Sequence, residues 1–228
     1  MVGEKEVRAF LKENRRAAAG VLMVVAAGML AAPAIIVSTA PGGWSSFGIA
    51  MSRVTALYAF TFIFMNIFTG ALAPYFYAIF KARRQYLMHT IIGGIGFLLA
   101  LIHGLIVLTQ RYYRGYSAVW ILGPIMLGLL VVTVWVALDR VRFKSVWRWI
   151  HQINYAIFLA AFIKAVLIGS DFKMTGASAQ AVKFLFSTYV ALASVALIVR
   201  LRRYQVQVAA RRKAGERESE PPVPETVD

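Results

Sequence analysis

The chain has no cysteine, which excludes disulfides, iron–sulfur clusters and thiolate metal sites within it. It also has no aspartate or glutamate between Asn14 and Leu138. Proton-coupled transporters and cation channels place carboxylates at membrane depth, so this stretch lacks the groups for that work. Charged residues are scarce overall, 15% against 60% hydrophobic, a balance that belongs to membrane proteins rather than soluble domains. There is no Ser/His/Asp set, no metal-hydrolase motif and no glycine-rich phosphate loop set between a strand and a helix. Hydrolytic and nucleotide-binding readings therefore have no residues to stand on.

What the chain has instead is long apolar runs, at about 16–38, 50–80, 86–108, 118–138, 148–169 and 181–200. Each can cross the ~30 Å hydrocarbon layer of a bilayer. The expected fold is all-α, a polytopic six-helix membrane bundle. Residues 1–15 form its N-terminal segment, 16–200 the transmembrane domain and 201–228 a disordered tail that begins basic and ends acidic and proline-rich. The first run follows Arg15 and Arg16 as a signal peptide would. It exceeds the usual apolar core of about 7–15 residues and is read as a retained helix. The connections 39–49, with Pro41, Gly42, Gly43 and Trp44, 109–117 and 170–180 are expected on the outer side.

The formal net charge is +15, and its distribution points to topology rather than to nucleic acid. Nineteen of the 25 basic residues precede the first run or follow the second, fourth and sixth, which places them on one side. By the positive-inside rule both termini are cytoplasmic, and the basic patches meet anionic lipid head groups.

The chain holds 3 histidines, and two of them, His89 and His103, share the third run. At 3.6 residues and 5.4 Å per turn, fourteen residues return to nearly the same helix face about 21 Å further along. One helix thus offers an imidazole near each side of a bilayer. Ionisable groups at such depth are costly and point to function, and imidazoles facing each other across a bundle suggest haem ligation. His151, near the start of the fifth run, lies at the depth of His89, so the two are candidate trans ligands of one iron. Gly96 lies midway between His89 and His103 on their face. By itself it fits close helix packing; with the two histidines, it is read as leaving room for two porphyrins.

These segments, Tyr86-Leu87-Met88-His89, Ala100-Leu101-Ile102-His103-Gly104 and Trp149-Ile150-His151-Gln152 running to Ile163-Lys164, resemble the ferric reductase-like transmembrane domain family over about residues 50–170. That family includes NADPH oxidases, ferric reductases and the haem-bearing membrane partner of bacterial periplasmic methionine sulfoxide reductase. The resemblance implies two b-type haems, one near each membrane face, held by histidine pairs on the third and fifth helices. By position, His89 and His151 would hold the inner haem and His103 the outer one. Lys164 stands where the fuller pattern has the fourth histidine. Ligation by a neutral lysine, a five-coordinate outer haem and no outer haem are all open, as is a snorkelling side chain. Arg53 matches an arginine that in NADPH oxidases lies beside the outer haem's propionates, although for Arg53 alone an ordinary interfacial anchor is the better reading.

The expected function is transfer of electrons across a bacterial-type cytoplasmic (inner) membrane through one or two haem b groups. Nothing in the chain provides a flavin or nicotinamide domain, so the expected partner is a separate flavoprotein or quinol on the inside and an acceptor, such as a periplasmic reductase, outside. Flavin or quinone would enter only through a partner. Two alternatives stand: a quinol-linked cytochrome b subunit of a respiratory complex, and a haem-free membrane anchor or assembly subunit.

Overall fold

The computed structural model describes residues 3–40, 47–112, 118–144, 146–173 and 175–219. Of the expected outer connections, 41–46 with Trp44, 113–117 and residue 174 lie outside the described residues, as does the proline-rich end from 220.

Among the described residues every regular element is a helix: α1 (Glu4–Glu13), α2 (Arg15–Thr39), α3 (Phe47–Ala71), α4 (Ala73–Ile79), α5 (Ala82–Tyr112), α6 (Ala118–Leu138), α7 (Trp147–Ile168), α8 (Ser170–Lys173) and α9 (Ala177–Ser219). Helices α2, α3, α5, α6, α7 and α9 are long and apolar enough to cross a bilayer. This is the expected all-α, six-helix architecture.

Two boundaries differ from expectation. The run at 50–80 is a span followed by a separate short helix, broken at Leu72 (φ −99°, ψ 17°). Pro74 explains the break, because it has no N–H to donate and fits only the first turn of a new helix. The tail expected to be disordered from 201 is helical as far as Ser219. Residues 201–219 are mostly helix-tolerant Leu, Arg, Gln, Ala, Lys and Glu, and no proline interrupts them before Pro221.

The core lies among α2, α3, α7 and α9 and is aromatic. Phe60 of α3 stacks between Phe158 of α7 (4.3 Å) and Phe186 of α9 (4.0 Å), and Phe64 stacks on Tyr189 at 4.4 Å. Helix α5 instead leaves Leu87, Ile91, Leu98 and Leu105 exposed along one side, the stripe that hydrocarbon covers. Buried threonine hydroxyls are satisfied within their own helices: Thr55 donates to the Met51 carbonyl, Thr61 to Leu57 and Thr133 to Leu130. With no water at that depth, internal partners of this kind are needed. The Tyr58 hydroxyl of α3 donates to the Leu30 carbonyl of α2 (2.9 Å), which ties the two helices together.

Long-range contacts gather the basic segments at one end of the bundle. Arg203 of α9 pairs with Glu4 of α1 at 3.2 Å and lies over the Tyr75 ring of α4. Arg140, just beyond α6, lies over the Tyr86 ring near the start of α5, 5.0 Å from its centroid. We call this the basic end.

Candidate functional site

The face of α5 that carries His89, Gly96 and His103 packs on α3. At Gly96 a Cβ would stand 3.2 Å from the Ile63 backbone nitrogen and from the Phe62 Cβ. Gly96 therefore lets α5 and α3 approach closely, the plainer of the two readings its spacing allowed.

Near the basic end, α5 and α7 bring His89 and His151 together, with ring centroids 6.1 Å apart and ring planes at 72°. Metal–imidazole bonds of about 2 Å put two imidazole centroids on one metal about 6 Å apart, a separation these rings match. Gly70 of α3 makes room for the arrangement, since a Cβ there would meet His89 Cε1 at 3.0 Å. The Asn66 backbone carbonyl acts on the His89 ring, and the side-chain oxygen of Asn66 is buried without a hydrogen-bond partner, which is costly at this depth.

His151 is oriented by a chain of side-chain contacts. Asn154 Nδ2 lies 3.3 Å from His151 Nδ1, and Asn154 Oδ1 lies 2.8 Å from Thr133 Oγ1, which is also 2.9 Å from the Leu130 carbonyl. A threonine hydroxyl has one proton and cannot donate to both oxygens. Exchanging the amide's oxygen and nitrogen, positions assigned by bonding pattern rather than seen, resolves the conflict. Thr133 then donates to Leu130, the Asn154 NH2 donates to Thr133, and His151 Nδ1–H donates to Asn154. In that tautomer the Nε2 lone pair of His151 is free to bind a metal, and the bonded Nδ1–H raises the ring's basicity. Arg200 of α9 donates to the Tyr155 hydroxyl (3.2 Å), one turn from His151, and its charge acts on both His89 and His151.

The opposite end is built differently. His103 Nδ1 lies 3.0 Å from the Ser52 carbonyl of α3 and donates to it, which again leaves Nε2 free. Arg53 follows Ser52 directly and is half-buried at the same depth. Lys164 lies near enough to His103 for its charge to act on that imidazole. Its ammonium lies over the Trp120 ring of α6, 5.4 Å from the centroid, in a notch where a Cβ on Gly123 would stand 2.7 Å from Nζ.

The sequence reading named the three histidines, Lys164, Arg53 and Gly96. It missed Thr133, Ser52, Gly70 and Gly123, which act from neighbouring helices, and gave no role to Asn154 or Arg200. Only Asn154 left a local signal, three residues after His151 and so on its face.

The fold and its apolar surface define a multi-pass helical membrane protein. No protein-family model, curated protein or solved structure matches this chain.

Proposed function

We propose that this is a b-type haem membrane protein of the ferric reductase-like kind, which passes electrons across a bacterial-type cytoplasmic membrane. The observation that carries the reading is the His89/His151 pair, two half-buried imidazoles from α5 and α7 with ring centroids 6.1 Å apart. A bound b haem would supply a one-electron carrier at that depth.

The chain's own residues supply the rest. His89 and His151 would hold the iron from two helices, Asn154 and Thr133 would fix the orientation of His151, and Arg200 would provide positive charge for the propionates. Helices α3, α5 and α7 exclude water around the pair. At the opposite end His103, oriented by Ser52, offers one ligand to a second haem, with Arg53 beside it for propionate charge. The basic end faces the cytoplasm by the positive-inside rule. Electrons enter there from a separate flavoprotein or quinol and leave near His103 toward an outer acceptor.

One observation favours a second reading with a single haem. Lys164 is engaged by Trp120 and Gly123, so His103 would be the one imidazole at that end. Oxidised and dithionite-reduced optical spectra, with a pyridine haemochrome assay for haem per chain, test both. Two b haems support the full transmembrane path, and one supports the His89/His151 centre alone. No haem after expression with ample haem supply would sink the electron-transfer reading and leave a membrane anchor.

A further inference from the structure

A second site lies away from the histidines, at the basic end between α1 and α4. There a cavity of about 610 Å³ is lined by Lys5, Arg8, Lys12 and Arg15 on one side, and by Tyr77, Phe80 and Lys81 on the other. Lys5, Arg8 and Lys12 recur at intervals of three and four residues, which places them along one face of α1, and Arg15 opens α2 just beyond them. Lys81 closes the ring as the chain leaves α4 extended at Phe80.

Five positive charges thus share one concavity with no carboxylate among its lining residues. The acids of α1 that could balance them are used elsewhere. Glu4 pairs with Arg203, and Glu6 accepts from the Gly3 N–H at 2.8 Å. Glu13 lines an adjoining concavity with Arg15 and Arg16, so one carboxylate faces only the Arg15 edge of the cluster. Like charges collected in this way repel one another unless an anion joins them.

We propose that this cavity binds the phosphate head group of an anionic phospholipid. The shared chemistry is phosphate recognition by lysine and arginine, and three features favour a lipid over a soluble phosphate. The volume lies in the range of small-molecule sites, roughly 300–1,000 Å³, and exceeds what one phosphate needs. Its floor is partly apolar, formed by Ala9, Ala78, Ile79 and Phe80, which suits the glycerol and the first methylenes of a chain. Helix α1 has the form of an interfacial helix, with Val7 and Leu11 turned toward the bundle and Phe10 left 62% exposed. The site is independent of the haem reading.

The test uses the full chain in detergent micelles, titrated with phosphatidylglycerol or phosphatidylcholine and followed by native mass spectrometry. One phosphatidylglycerol per chain is expected to persist where phosphatidylcholine is lost. Each cavity cation removed should weaken that retention about fivefold, in Arg8→Gln/Lys12→Gln on one wall and in Lys81→Gln on the other. Arg142→Gln/Lys144→Gln removes equal charge outside the cavity and should leave retention unchanged. Equal losses in the cavity and control variants would mean diffuse charge and overturn the site. Displacement of the lipid by millimolar inorganic pyrophosphate, with pyrophosphate itself retained, would make the ligand a soluble phosphate and overturn the lipid assignment.

Discussion

The two ends of the histidine-bearing face solve the same problem with unequal means. At the basic end, two imidazoles from α5 and α7 face each other at 6.1 Å, and Asn154, Thr133 and Arg200 complete their surroundings. At the opposite end a single imidazole is oriented by a backbone carbonyl, and the residue at the matching depth of α7 is a lysine turned onto a tryptophan of α6. A ligand pair needs two helices to agree in rotation as well as in depth. Thirteen residues after His151, Lys164 returns to a helix position well away from the His151 face. The geometry of α7 therefore gives one matched pair of imidazoles and one imidazole without a match.

The comparison breaks most sharply at the pair itself. His151→Ala should remove the basic-end haem and lower the pyridine haemochrome value by one haem per chain, whereas His103→Ala should leave the low-spin spectrum of the His89/His151 centre intact. Equal losses from both variants would mean that the two ends are one cooperative site. Gly70→Val comes next, because its side chain would displace the His89 ring. We expect overpacking to cost about 1–3 kcal/mol, read as a lower thermal midpoint with reduced haem occupancy at the basic end only.

A smaller effect is expected from Asn154→Leu. Loss of a partner beyond the metal's own ligands lowers affinity by roughly 10–100-fold. The reduction midpoint should also rise, since an imidazole without its acceptor donates less charge to ferric iron. An unchanged midpoint would show that the amide does not orient His151. The smallest change belongs to Lys164→Met, which removes a cation–π contact worth about 0.5–2 kcal/mol and should lower thermal stability without altering the haem spectrum. A spectral change in that variant would make Lys164 an iron ligand and erase the asymmetry between the ends.

Much of this molecule was readable from residue order. Six apolar runs give six spanning helices, because backbone groups in hydrocarbon must bond within their own segment and length alone selects what can cross. The depth of each histidine follows from its distance along its run, so His89 and His151 share a level before any packing is known. Helix ends were less legible. The break at Leu72 had its signal in Pro74, hidden within a continuous apolar run, and the extension to Ser219 depended on a tail whose charge suggested disorder more strongly than its helix propensity suggested order.

Sequence by itself determined composition, span length, charge asymmetry and depth, all of which are properties of one segment in a layered solvent. The tertiary structure decided which faces meet. It set Gly96 against Ile63 rather than in an open gap, turned Lys164 onto Trp120, and brought Thr133 of α6 to Asn154 of α7. Rotation of one helix against another is fixed by side-chain packing summed over the whole interface, and no local stretch of sequence contains that sum.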